Sequence, residues 1–188
     1  MSALVVFPLI LGMCGVARPM IHALLGTEWD GCVTMLQVLC FAYIWDCVIM
    51  VNLNLIYVKG HSDYVLKLEI VKKLIAFGIL MVTMFYGLLA ICVGRVIYSV
   101  IALYLNTHYT RRLLNYGFLT QLREIIPFFV MSIVVMGVAM LISALVPRAI
   151  VALSVSLVVC PSVYLGMCRI FRIAAFEELL SLIKSKIK

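Results

Sequence analysis

The stretch NLNLIYVKGHSDYVLKLEIVKK, residues 52–73, is the densest charged interruption in an otherwise apolar chain. Of the 188 residues, 66% are hydrophobic and only 12% are charged. A soluble domain of this length has too small a core to bury that many apolar side chains. The composition therefore predicts a polytopic membrane protein. Because only helices and closed barrels satisfy the backbone in lipid, the long apolar runs predict an all-α bundle.

Apolar runs of about 20 residues, the length needed to cross the hydrocarbon, define about six transmembrane helices. The third and fourth come from one run, residues 74–107, whose only charge is Arg95. As a single helix this run would be about 51 Å long, against a hydrocarbon core of about 30 Å, so we expect it to fold back at Tyr86–Gly87. The predicted spans are about 3–25, 33–58, 67–86, 88–107, 126–146 and 149–168, in a transmembrane region 1–171 that is followed by a cytoplasmic amphipathic tail, 172–188.

Basic residues are distributed unevenly among the loops that six spans create. Twelve of the fifteen lysines and arginines fall on one side, which the positive-inside rule makes cytoplasmic, so we expect both termini in the cytoplasm. A five-span arrangement would separate the arginines after residue 107 from the lysines of 52–73, and it is rejected for that reason. The net charge of +7 is therefore explained by basic loops at the surface of the lipid bilayer and does not indicate nucleic-acid binding. The residues that set the topology are Lys59, Lys67, Lys72, Lys73, Arg111 and Arg112.

Sequence signatures of catalysis are missing from the chain. No GxSxG, HExxH, GxxxxGK[ST] or GxGxxG occurs, and the three histidines are too scattered to suggest a metal site. The seven cysteines form no CxxC pair and lie mostly in apolar runs, as expected of small buried side chains. The sequence therefore predicts a protein that is not an enzyme and that has neither a metal nor a cofactor.

Ionisable and amide side chains inside the spans are the candidate functional residues. A charge at membrane depth costs at least about 2.5 kcal/mol unless it is paired or faces water. Arg18 and Arg95 either face an aqueous cavity, where they would bind an anionic group such as a diphosphate, or pair internally or snorkel to the headgroups. Asp46 is a candidate counter-ion for Arg18 or a candidate coupling site. Asn52 and Asn54 are more typical of interhelical hydrogen bonds than of substrate ligands.

Three pieces of the chain, in order, resemble a known family. They are PLILGMCGVARPMIHALLGTEW at residues 8–29, MLQVLCFAYIWDCVIMVNLNLIYVKGHSDYVLKLEIVKK at 35–73, and FYGLLAICVGRVIYSVIALYLNTHYTRRLLNYGFLTQLREIIP at 85–127. The series resembles the C-terminal half of bacterial polysaccharide flippases, of the O-antigen, teichuronic-acid and colanic-acid type. These belong to the multidrug/oligosaccharidyl-lipid/polysaccharide exporter superfamily. The likeness covers nearly the whole chain.

The resemblance implies a two-lobed helical fold with alternating access in the bacterial inner membrane. The implied substrate is an undecaprenyl-diphosphate-linked oligosaccharide, moved from the cytoplasmic to the outer leaflet. Cavity-lining basic residues would hold its diphosphate, which fits Arg18 or Arg95. Because Asp46 and Arg95 stand where the family pattern has uncharged residues, neither is carried over as a family site.

The six spans correspond to the end of the second lobe of such a flippase. We therefore expect a missing N-terminal lobe as partner, the chain being a truncated product, a fragment or half of a split transporter. Two alternatives stay open. One is a cation-coupled multidrug exporter of the same superfamily, in which Asp46 would bind a proton or sodium. The other is a small structural membrane subunit that assembles the cell envelope.

Overall fold

A computed structural model describes residues 2–60, 62–114, 118–146 and 148–170. Within these residues the chain is all-α, with no strand. Short 3-10 turns at Thr27–Trp29 and Met84–Tyr86 connect some of the helices. The helices are α1 (Ser2–Gly15), α2 (Ala17–Leu24), α3 (Asp30–Tyr43), α4 (Asp46–Val58), α5 (Ser62–Thr83), α6 (Leu88–Leu114), α7 (Phe118–Leu145) and α8 (Ala149–Ile170).

Several helical stretches are long and apolar enough to cross a membrane. They are Thr27–Val58, Leu88–Thr110, Gln121–Leu145 and Ala149–Ile170, joined by a fifth if the bent pair α1 and α2 is one span. The prediction of an all-α membrane helix bundle is confirmed. The remaining predicted span, the third at 67–86, falls on α5 and the turn after it, where four charges between residues 67 and 73 lower the hydropathy. The six-span count stays a prediction, and the predicted tail, 172–188, lies outside the described residues.

Within its described part, the chain forms two compact units. Unit 1 contains the residues up to Val33 together with those from Ile126 onwards. Unit 2 contains Thr34–Ile125. Each unit has its own packing and is considered by itself.

Unit 1 is built where α1 and α2 pack against α8. Pro8 lies inside α1 and has no N–H, so the carbonyl of Leu4, one turn earlier, loses its helical donor. The hydroxyl of Tyr164 on α8 donates a hydrogen bond to this carbonyl at 2.8 Å. A neighbouring helix thus satisfies the backbone group that the proline leaves free, as membrane helices require. The buried core around this contact consists of Leu4, Met131, Val135, Ala139, Cys160, Tyr164 and Cys168.

The first predicted span, 3–25, is divided in two. The helices α1 and α2 meet at Val16 and are bent by 63°. The physical reason is Pro19, which cannot donate to the carbonyl of Gly15 and therefore interrupts the ladder at this point. Gly15 also passes very close to α7, since a Cβ there would lie 2.6 Å from the Cβ of Ala139.

Unit 2 contains α4, α5 and α6, and each of these helices packs against the other two. The stretch 52–73 forms the end of α4 and the beginning of α5, which a turn at Lys59–Gly60 connects. Helices α5 and α6 fold back on each other at Gly87, whose positive φ of 93° favours glycine. This is the position at which the sequence predicted the bend.

Close packing continues along the α5–α6 hairpin. A Cβ at Gly94 would lie 2.8 Å from Thr83 Cγ2 and 3.0 Å from Ile79 Cγ2. Only a glycine lets the two helices approach this closely. The contact also fixes their register, so that the first turns of α6 face the C-terminal end of α5.

Candidate functional site

Unit 2 brings two acidic and two basic side chains of three helices into one region. Asp46 is the first residue of α4, Glu69 and Lys72 lie one turn apart on α5, and Arg95 is in the first half of α6. We call these four residues the charge cluster. Two positive and two negative charges make it electrically neutral, which lowers the cost of placing them at membrane depth.

A hydrogen bond between two different helices of the cluster joins Arg95 to Asp46. Arg95 Nη2 donates to Asp46 Oδ2 at 2.7 Å, and Nη1 donates to Ser99 Oγ at 3.3 Å. The guanidinium carbon also lies 5.0 Å from the ring centroid of Tyr43 and 5.0 Å from that of Tyr98. A charge-assisted hydrogen bond and two cation–π contacts therefore hold this side chain in place.

Lys72 and Glu69 form the second ion pair of the cluster, within α5. Only 4% of Lys72 is exposed, although the sequence placed it among the residues that set topology. It also lies within electrostatic range of Asp46. Lys72 thus contributes to the interior of unit 2, whereas Lys59, Lys67 and Lys73 are exposed.

The pairing of Asp46 corrects one expectation. The sequence made Asp46 a candidate counter-ion for Arg18, but its partner is Arg95, 49 residues away along the chain. Of the two readings left open for Arg95, internal pairing is the one observed. The guanidinium is still partly accessible, with 26% of the Arg95 side chain and 35% of the Asp46 side chain exposed.

A cleft of about 320 Å³ opens beside the charge cluster, between α5 and α6. Its walls are largely apolar. Arg95 and Tyr98 belong both to the wall of this cleft and to the contacts described above. The other wall residues include Ile79, Leu80, Thr83 and Ile91.

Arg18 lies in unit 1, exposed on α2. One turn further along α2, His22 Nε2 is 2.6 Å from Asp30 Oδ1, and Arg18 interacts electrostatically with the same carboxylate. Within unit 1, none of the described carboxylates forms an ion pair with Arg18. Its guanidinium donors are therefore available to an anion, in contrast to those of Arg95.

The two asparagines of α4 have different environments. Asn52 is buried, and its Nδ2 donates to Oε1 of Gln121 at 2.9 Å, so the predicted interhelical hydrogen bond is confirmed. Asn54 is exposed. Sequence reasoning missed Gln121, whose only signal is that it is an amide side chain close to the start of a long apolar run. It also missed Asn106 on α6, which is fully buried and whose Oδ1 has no hydrogen-bond partner among the described residues.

Metal binding finds no support among the described residues, where no group of three histidine, cysteine, aspartate or glutamate side chains could hold an ion. None of the seven cysteines is paired in a disulfide with another described residue, and five of them are buried. Arg111 and Arg112 belong to α6, but their side chains lie outside the described set.

Neither a protein-family model, nor a curated protein, nor a solved structure matches this chain.

Proposed function

We propose that this chain is the C-terminal part of a transporter that flips undecaprenyl-diphosphate-linked oligosaccharide across the bacterial inner membrane for polysaccharide export. The ordered resemblance of residues 8–29, 35–73 and 85–127 to polysaccharide flippases supports this function. The membrane helix bundle agrees with it. The proposal includes cytoplasmic termini and an opposing N-terminal lobe as the partner that completes the cavity.

Arg18 is the observation that carries the proposal at the level of the site. A diphosphate needs donors that no carboxylate already occupies, and a guanidinium binds phosphate oxygens through two parallel hydrogen bonds. Arg18 is exposed on α2 and has no ion-pair partner among the described residues of unit 1. Arg95, the other candidate, is engaged by Asp46 and is the weaker choice.

The same geometry weighs against the cation-coupled multidrug exporter. In that reading Asp46 would exchange a proton or a sodium ion during transport. A carboxylate that Arg95 holds at 2.7 Å keeps its negative charge neutralised and is poorly available to a second cation. No described contact favours the envelope-assembly subunit.

The test compares two variants that remove one exposed arginine each, Arg18→Gln and Arg148→Gln. The protein is placed in lipid nanodiscs, and binding of a polyprenyl-diphosphate-linked oligosaccharide is measured by titration. Because hydrogen bonds to charged groups contribute about 1.5–3 kcal/mol, Arg18→Gln should weaken binding by about tenfold or more. Arg148→Gln should bind like the wild type. Equal affinity of the wild type and Arg18→Gln would refute the assignment of Arg18.

A further inference from the structure

Arg95 occupies a position that resembles that of a bound ligand more than that of a simple ion-pair partner. Its guanidinium has a carboxylate on one side, at 2.7 Å, and aromatic rings of two different helices at 5.0 Å. Asp46 and Tyr43 come from α4 and α3, while Tyr98 is one turn from Arg95 on α6. Three helices thus surround one planar cation.

We propose that Tyr43, Asp46 and Tyr98 form a binding site for a guanidinium-type organic cation, and that Arg95 fills this site as a tethered ligand. We call the three residues the cation box. The proposal goes beyond the flippase function and does not depend on it. It assigns to this part of unit 2 a class of ligand, a small organic cation with an apolar substituent.

The chemistry of the box selects for this class. The carboxylate supplies the charge complement and accepts N–H donors, and the electron-rich faces of two tyrosines attract a delocalised planar cation. A hydrated sodium ion would gain less from the rings, because its charge is compact and strongly solvated. A guanidinium loses less hydration when it enters such a site.

The neighbouring cleft explains why the ligand should carry an apolar group. Arg95 and Tyr98 form part of the cleft wall, which otherwise consists largely of apolar side chains, among them Ile79, Leu80 and Ile91. A volume of about 320 Å³ accommodates a short alkyl or aryl substituent. An alkylguanidinium with its head in the box would place its chain in this cleft.

Removal of the Arg95 side chain should leave the box vacant. Lys72 is the other basic side chain known to lie in electrostatic range of Asp46, and Glu69 already pairs with it. In the wild type, an external cation has to displace a tethered competitor, whose effective concentration is high. In Arg95→Ala that competition is gone, so the box becomes accessible to ligand from solution.

The experiment titrates butylguanidinium into wild-type protein, Arg95→Ala and the double variant Asp46→Asn/Arg95→Ala, all in the same detergent. We expect Arg95→Ala to bind at least about tenfold more tightly than the wild type, since a tethered competitor has been removed. The double variant should lose this gain because the carboxylate is absent. Extending the alkyl chain should raise the affinity of Arg95→Ala by about fourfold per methylene, relative to the double variant, as apolar burial in the cleft predicts.

Two results would overturn the proposal. One is that Arg95→Ala and the double variant bind butylguanidinium with equal affinity. In that case Lys72 or water has taken the place of Arg95, or the probe only partitions into detergent. The other is that sodium chloride, at the same concentration as butylguanidinium, gives the same binding signal with Arg95→Ala. The site would then bind cations in general. If Arg95→Ala is not recovered as a folded protein, Arg95→Gln retains much of the side-chain stem and is subjected to the same titration, with the same outcomes deciding.

Discussion

The contact between α1 and α8 gives a prediction whose magnitude can be worked out from the structure. Pro8 leaves the Leu4 carbonyl without its helical donor, and the Tyr164 hydroxyl replaces that donor at 2.8 Å. The substitution Tyr164→Phe removes one oxygen atom from a side chain that is only 5% exposed. The ring keeps its packing, while the carbonyl is left in an apolar environment without a partner.

An unsatisfied buried carbonyl costs about 1–3 kcal/mol. Hydrogen bonds between membrane helices average about 0.6 kcal/mol and reach about 1.7 kcal/mol, because groups that lose a partner usually find another. In α1 the proline prevents the helix itself from supplying one. We therefore expect Tyr164→Phe to lower the free energy of unfolding by about 1–2 kcal/mol, near the upper end of the membrane range.

A double-mutant cycle isolates the free-energy contribution of the hydrogen bond between the Tyr164 hydroxyl and the Leu4 carbonyl. In Pro8→Ala the new backbone N–H can donate to the Leu4 carbonyl, so Tyr164→Phe in that background should cost no more than about 0.5 kcal/mol, and the two sites should couple by about 1 kcal/mol. The free energy of unfolding is measured in mixed micelles of mild and denaturing detergent. Tyr104→Phe, at a tyrosine that is 66% exposed, is the matched control and should have no effect. An equal cost of Tyr164→Phe with and without Pro8 would refute the reasoning.

Two further predictions concern unit 2. Gly94→Val should destabilise the α5–α6 hairpin by about 1–3 kcal/mol, because its side chain would overlap Thr83, whereas Gly78→Val, with open space around the glycine, should be close to neutral in the same unfolding assay. Equal effects would contradict the observed register. Asn52→Leu should destabilise the protein more than the double variant Asn52→Leu/Gln121→Leu, because the single change leaves a buried amide without its partner at 2.9 Å. If the double variant is the less stable of the two, the hydrogen bond does not act as described.

The positions of several helix ends could be predicted from the sequence. The break at Gly87 follows from length alone, since residues 74–107 are too long for one crossing, and glycine is the residue that permits the positive φ observed there. The beginnings of α6 and α8 at Leu88 and Ala149 also coincide with the predicted ones. Helix α6 nevertheless continues to Leu114, because polar residues extend a helix beyond the hydrocarbon and composition does not mark where it ends.

The partners of the intramembrane polar residues could not be predicted. The position of a residue within an apolar run indicates its depth in the membrane. It does not indicate how the helix is rotated or which helix packs beside it. Asp46 and Arg95 are 49 residues apart and Asn52 and Gln121 are 69 apart, so their contacts depend on tertiary packing. The bend between α1 and α2 was only partly foreseen, since Pro19 marks the interruption without giving its angle of 63°.

The most direct test of the proposed function compares two lipids that differ only in the diphosphate. The wild-type protein in nanodiscs is offered a polyprenyl-diphosphate-linked oligosaccharide and the same oligosaccharide attached to the polyprenyl chain without phosphate, and the bound lipid is quantified by native mass spectrometry. The exposed guanidinium of Arg18 predicts retention of the diphosphate lipid by at least about tenfold over the neutral one. Equal retention of the two lipids, or retention of neither, would contradict the proposal that this chain binds a lipid-linked diphosphate.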